Sequence, residues 1–255
     1  MAPLRFRAAI TLDTDWAPDA AIADCAEILV DAKVRATWFV THESVAITAL
    51  REHPELFEVG IHPNFLPGSS QGDTPDAVLA WCMRMVPDAI SMRTHALVQS
   101  TPLLETVLQK TPIRCDASLL LSYASHVEPI EHQWRGTTLL RVPYVWEDDI
   151  EMLRDRPRWS TTKALAGRGL RVFDFHPIHV ALNSSDFVRY EMLKAAVKPL
   201  SRASAEDMRP FVNPARGART AFVALVEQLS REGGGLLMRD IYHRWRRRRL
   251  CKESP

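Results

Sequence analysis

The residues whose types and spacing could do chemistry each close an apolar run: Asp13 and Asp15 in TLDTDW, His62 in EVGIHPNF, Arg93 and His95 in SMRTH, and His176 and His179 in FDFHPIH. In an extended segment side chains alternate with period two, which places Asp13 and Asp15 on one side. Two carboxylates that close either share a cation or hold different protonation states. Joined by imidazoles from neighbouring segments, they form an Asp/His set suited to Zn²⁺ or another divalent ion with open positions. Such an ion polarises a carbonyl and lowers the pKa of bound water, so the natural reaction class is metal-assisted hydrolysis.

These residues can share a site only if the chain returns each run to one face. Apolar runs at 6–12, 35–41, 56–62, 89–95, 113–120, 138–146 and 170–180 read as strands. Helical patterns alternate with them, among them 18–32, 44–53 and 218–231, the last stopped by Gly233 to Gly235. Thr101 as N-cap with Pro102 at the first helical position opens another. Strand–helix alternation implies parallel strands covered by helices, and seven such units suggest a barrel, with an open sheet as the alternative. In a parallel barrel Asp13, Asp15, His62, Arg93, His95, Asp116, His176 and His179 all fall on the carboxyl-terminal rim, where barrel active sites form.

Bulk composition narrows the rest. The chain has 255 residues, 46% hydrophobic and 25% charged, with a formal net charge of +1, which argues against nucleic acid as the main partner. The positive charge is local, in RWRRRR at 244–249; it reads as a solvated helix end with Trp245 against the body, or as a weak contact for an anionic membrane face. Cys25, Cys82, Cys115 and Cys251 are far apart with no CxxC pair, as in a reduced, cytoplasmic protein. The N-terminal run meets Asp13 at once, unlike a secretory signal, and no apolar run is long enough to cross a bilayer.

Taken in order, TLDTDW, ATWFV (36–40), EVGIH, SMRTH, IRCDAS and FDFHP resemble the motifs of the NodB-homology polysaccharide deacetylases, carbohydrate esterase family 4, over about residues 6–183. The match is nearest to the WbmS-like branch, linked to surface polysaccharide synthesis. The resemblance implies an α/β fold, an incomplete, distorted (β/α) barrel with about seven parallel strands. The barrel core would occupy 1–183, and a helical extension at 184–255 would complete it or pack on it. By this resemblance Asp13 is the catalytic base, Asp15 and His62 hold the metal, Arg93 orients the base and His176 protonates the leaving amine. The family's second metal histidine falls at Leu66 here. His95, at the rim end of the fourth strand, is the replacement expected, with a role behind Asp13 or Asp15 as the alternative. Asn64 offers only an amide oxygen, a poor zinc ligand, and is placed with the substrate contacts.

Asp116 reads either as a contact to a substrate hydroxyl or as a strand-end cap. Trp16 and Trp146 read as sugar platforms or as packing, and His179 lines the site beside His176. The activity implied is removal of an N-acetyl group, a C–N bond hydrolysis, from a nucleotide- or lipid-linked sugar in surface polysaccharide biosynthesis of the lipopolysaccharide O-antigen type. The alternatives are a hydrolase of the same fold acting on a non-sugar amide or imide, and a non-catalytic carbohydrate-binding relative without its metal. The sequence leaves the oligomeric state open.

Overall fold

The first strand, β1 (Ala8–Asp13), is buried at every position. Parallel strands between covered faces carry this kind of unbroken apolar run. The computed structural model describes residues 8–253; Phe6 and Arg7, expected to begin β1, lie outside them. β2 (Ala36–Val40), β3 (Phe57–Ile61), β4 (Ser91–Met92) and β5 (Cys115–Asp116) follow. Then come β6 (His126–Val127), β7 (Ile130–Trp134), β8 (Thr137–Arg141), β9 (Trp146–Glu147), β10 (Arg168–Gly169) and β11 (Arg171–Phe175).

The main sheet has the order β7-β8-β5-β4-β3-β2-β1-β11-β9, parallel throughout except for the β7–β8 pair. Residues 142–145 carry the chain from β8, near one end of that order, to β9 at the other. Along the way Leu121 N donates to Tyr144 O at 2.8 Å and Val145 N to Val172 O at 2.9 Å. The ring is thus completed by one strand broken in the middle, where Pro143 has no N–H to give a ladder. This is the incomplete, distorted (β/α) barrel the sequence implied.

Several boundaries differ from expectation. The run at 138–146 is two strands, β8 and β9. Those at 89–95 and 113–120 contain only two paired residues each. Past Thr94 the chain turns through left-handed Ala96 (φ 51°) and Leu97 (φ 53°), which ends any strand there. The run at 170–180 is β11 followed by a helix, Pro177–Leu182, with Pro177 in its first turn where a missing N–H costs nothing. Ser100, not Thr101, is the N-cap of helix Thr101–Lys110, its side chain accepting from Leu103 N. The β7–β8 hairpin was not foreseen. Its two-residue loop, Arg135 (φ 44°) and Gly136 (φ 78°), has the left-handed pair a tight hairpin needs.

Period two sorts the strand residues between helices and interior. Ala8, Ile10 and Leu12 join a core with helices Asp19–Ala32 and Ala218–Arg231, as do Phe173 and Phe175. Ala9, Phe39, Leu140, Tyr144 and Val172 form a second cluster inside the ring. The parity that turns Ala9 and Val172 inward also turns Asp13 and Asp174 inward. The chain after 183 packs on this frame: Leu236 N donates to Ala8 O at 2.9 Å and Met238 N to Thr37 Oγ1 at 3.0 Å, at the amino-terminal end of the ring. Gly60 lets β3 lie close to β4, since a Cβ there would stand 2.7 Å from Ser91 O. Cys25, Cys82 and Cys115 are buried, and all four cysteines are free thiols. Among the described residues no helix is long and apolar enough to cross a membrane.

Candidate active site

Asp13 ends β1, and the chain leaves extended geometry at once: Asp15 (φ 42°) and Trp16 (φ 55°) are both left-handed. Asp tolerates that conformation, whereas a bulky aromatic there is strained, and such strain gathers at functional sites. Hydrogen bonds to the end of β2 hold the turn. Thr41 N donates to Thr14 Oγ1 at 3.0 Å and Trp16 N to Thr41 Oγ1 at 2.9 Å. His62 follows β3, its N–H on Val40 O at 3.0 Å and its carbonyl accepting from Gln71 Nε2 at 3.1 Å. His95 N donates to Pro63 O at 3.0 Å, which brings the loop after β4 against the loop after β3.

These anchors converge three donors. His62 Nε2 and His95 Nδ1 each lie 3.1 Å from Asp15 Oδ1. Asp15, His62 and His95 each offer a ligand atom within 4.8 Å of the others. Ligands at the 2.0–2.1 Å of tetrahedral zinc stand roughly 3.3 Å from one another, close to what is seen. Two imidazoles and a carboxylate are a donor set known from catalytic zinc sites, so the residues fit a divalent ion. His62 Nδ1 is buried without a hydrogen-bond partner among the described residues. The ring is therefore held by packing and backbone instead of the acceptor that usually backs a metal-bound imidazole. Leu66, the fourth residue after His62, is 40% exposed and its N–H caps onto Asn64 Oδ1; the second imidazole beside Asp15 is that of His95.

Beside the cluster Arg93 is 1% exposed, its guanidinium between the rings of Phe39 (5.0 Å) and Tyr144 (4.4 Å). It donates to Asp13 Oδ1 at 2.9 Å, to Asp174 Oδ1 and to Ala117 O. Burial pushes the Asp174 carboxyl well above the usual range, outweighing the Arg93 charge, with Asp13 adding to the rise. Arg93 thus ties the two carboxylates together, and burial favours the neutral form of the Asp174 carboxyl. On Asp15 burial works upward, but hydrogen bonds from His62 and His95 prevail and hold its carboxyl well below the usual range. The free Asp13 Oδ2 faces His62 Nε2 at 3.6 Å.

His176 closes the opposite side. Its Nδ1 is 2.7 Å from Asp148 Oδ1, its N–H donates to Asp148 Oδ2, and its Nε2 faces Asp15 Oδ2 at 3.6 Å. Burial would lower its pKa, but Asp149 and Asp148 overcome that and hold the ring well above 6.5, as the imidazolium. His179 Nε2 lies 3.0 Å from Asp149 Oδ1, with Ser184 Oγ at 3.2 Å on its other nitrogen. Burial raises Glu147 to about 7 against the pull of His176, and Tyr144 OH donates to it at 2.7 Å.

The structure thus brings Asp13, Asp15, His62, Arg93, His95 and His176 together, with His179 next to them. Trp16 is half-buried with its ring edge-on to His95, centroids 5.4 Å apart. Two residues lie elsewhere than a substrate contact requires. Trp146 is 1% exposed and packs on Phe175 and Trp159, because β9 turns it toward the helices; it is core and not a sugar platform. Asp116 is fully buried, bonded to Ser118 and paired with Arg141 at 2.8 Å, which makes it the strand-end cap. Asn64 is half-buried in the loop after β3, its Oδ1 accepting from Leu66 N and its N–H donating to Gln71 Oε1 at 2.7 Å. The sequence reading missed Asp148, Asp149 and Asp174. Asp174 had a signal: it lies two residues before His176 in FDFHP, on the same side of the strand.

A family model described as WbmS-like polysaccharide deacetylase matches residues 10–194. Among solved structures, WbmS of Bordetella bronchiseptica, assigned as a polysaccharide deacetylase involved in O-antigen biosynthesis, is 32% identical with a TM-score of 0.76, covering 88% of this chain and 91% of its own. A protein of Mycobacterium smegmatis assigned to the polysaccharide deacetylases is 14% identical at TM-score 0.48, with 91% and 93% covered. Peptidoglycan deacetylase PdaC of Bacillus subtilis, as a D285S mutant, is 11% identical at 0.47 over the whole of both chains. No curated protein matches the chain.

Proposed function

We propose that this chain, which belongs to the WbmS-like polysaccharide deacetylase family, is a divalent-metal-dependent hydrolase that removes an N-acetyl group from a sugar of O-antigen-type surface polysaccharide. The observation that carries the reading is the meeting of His62 and His95 on one oxygen of Asp15, each at 3.1 Å, between a buried Asp13–Arg93 pair and a charged His176. Asp15, His62 and His95 would hold zinc or a similar ion, which when bound polarises the amide carbonyl and acidifies water.

The chain's own groups supply the proton transfers. Arg93 fixes Asp13 through Oδ1, which leaves Oδ2 turned to the site to accept a proton from the attacking water. Asp148 occupies His176 Nδ1, so the proton for the departing amine leaves from Nε2. Because His176 is already an imidazolium, it enters the reaction as the acid, while Asp13 enters as the base. The O-antigen setting is supported by the 32% identity to WbmS over most of both chains. A nucleotide- or lipid-linked N-acetylated sugar is the substrate class proposed. The non-catalytic alternative assumed that the metal was lost with the histidine absent at Leu66; His95 beside Asp15 weighs against it.

The test combines elemental analysis of purified protein with acetate release from N-acetylated sugar nucleotides and lipid-linked sugars. Expected are bound zinc or a similar metal, chelator-sensitive acetate release, and an Asp13→Asn variant that keeps the metal and loses the activity. Metal-loaded protein releasing acetate from none of them, or release indifferent to chelator, would sink the reading.

A further inference from the structure

The arginine run that the reaction does not use lies on the last helix, Met238–Glu253, beside a cavity of about 270 Å³. Leu170, Leu236 and Ile241 give the cavity an apolar lining, and Arg244, Trp245 and Arg248 face it from the helix. Leu170 immediately precedes β11 and Leu236 bonds to Ala8 at the start of β1, so the cavity is at the end of the barrel opposite the candidate active site. Glu131 is taken: its carboxylate accepts from Trp245 Nε1 at 2.8 Å and pairs with Arg249 at 3.0 Å. Glu128, the other acid at the cavity, faces His126 at 3.4 Å. Among the described residues Arg244 and Arg248 have no carboxylate within ion-pairing distance.

Two unpaired guanidiniums four residues apart lie on one side of a helix and present donor forks suited to phosphate oxygens. The apolar lining next to them adds a demand that a free anion does not meet. We propose that this cavity seats one phosphate-headed lipid of an anionic membrane surface, its phosphate on Arg244 and Arg248 and the start of its chain on Leu170, Leu236 and Ile241. Exposed Arg246 and Arg247 lie outside the cavity lining and add only general attraction to such a surface. The protein would then lie on the membrane by the closed end of its barrel, with the candidate active site on the far end. The inference does not rest on the hydrolytic reading.

Co-sedimentation of the full chain with phosphatidylcholine vesicles, with and without phosphatidylglycerol, tests it. Arg244→Glu/Arg248→Glu and Arg246→Glu/Arg247→Glu change the net charge equally. The first pair is expected to weaken binding to the anionic vesicles about tenfold or more and the second clearly less. Should the glutamate pair at 244 and 248 fail to fold, Arg244→Gln/Arg248→Gln serves in its place. Soluble dihexanoyl phosphatidylglycerol should compete, and inorganic phosphate at the same concentration should not. Equal losses from the two pairs would mean simple charge attraction, equal competition by phosphate would mean an anion site without a lipid, and no binding to anionic vesicles would mean neither. Each of these overturns the proposal, and none depends on deacetylation.

Discussion

Replacing Arg93 with methionine separates the two carboxylates that share its guanidinium. Methionine keeps part of the stem between Phe39 and Tyr144 and removes the cation from Asp13, which is 3% exposed. Removing one partner of a buried ion pair leaves an uncompensated charge and costs about 3–5 kcal/mol. With an unfolding entropy of about 2.1 cal/mol/K per residue, a chain of 255 residues changes by roughly 0.5 kcal/mol per degree, so Tm should fall by about 6–9 °C. Asp174→Asn is the control. Burial pushes the Asp174 carboxyl up toward its neutral form, and an amide oxygen in its place can still accept from Thr11 Oγ1 and Arg93. Its cost should stay below about 1 kcal/mol, or about 2 °C. Calorimetry of both variants after chelation removes any stabilisation by bound metal from the comparison. If Asp174→Asn melts as low as Arg93→Met, Asp174 carries the charge that Arg93 compensates, and the upward shift of its carboxyl is wrong.

Three further outcomes follow from the same geometry. His95→Ala should weaken zinc binding by more than the roughly 10–100-fold typical of losing a group that only supports a ligand, as read by chelator competition; a loss of about 100-fold or less would return His95 to a supporting role. Asp148→Asn removes one of the two carboxylates that hold His176 charged, so the alkaline limb of kcat/KM should move to lower pH; an unmoved limb would mean that His176 is not the acid. Glu147 titrates near 7 when folded and near 4.3 when unfolded, so its contribution is full below about pH 4.3 and is lost as pH rises through 7. Stability in urea between those values should fall for the parent chain and stay flatter for Glu147→Gln, by an order of a few kcal/mol; parallel curves would show that the carboxyl ionises freely.

The rim was legible because β1, β3 and β11 each pass from a buried run to a polar residue in one step, as at Leu12–Asp13, Ile61–His62 and Phe175–His176. Long strands with a repeated change of this kind identify their own ends. β8 and β9 did not, since TLLRVPYVW is apolar on both sides of Pro143 and only the ladder partners show where the strand breaks. The same ambiguity misplaced Trp146: a two-residue strand has no period from which to read which face is inward. Asp148 and Asp149 were hidden by their context, because EDDIE reads as the exposed acidic start of a helix. It is such a start, Asp148–Met152, but Asp148 is fully buried under His176.

The displaced histidine shows what spacing alone can and cannot specify. A ligand four residues after His62 would be delivered by the loop of β3 itself. His95 comes instead from the loop after the neighbouring strand, and its place depends on two tertiary facts: its N–H on Pro63 O, and the left-handed turn at Ala96 and Leu97 that follows it. What the chemistry requires is a nitrogen about 3 Å from Asp15 Oδ1 with Asp13 and His176 left free, and adjacent parallel strands can supply that nitrogen from either loop. The substitution also changes the surroundings. The His95 side chain is 24% exposed against 2% for His62, so the proposed ligand His95 is open to solvent beside the edge of Trp16. Were a metal held there as proposed, a substrate approaching from that side would pass over His95 and Trp16, and those two residues, with Asp149 and His179 opposite, are where selection among the proposed acetylated sugars would act.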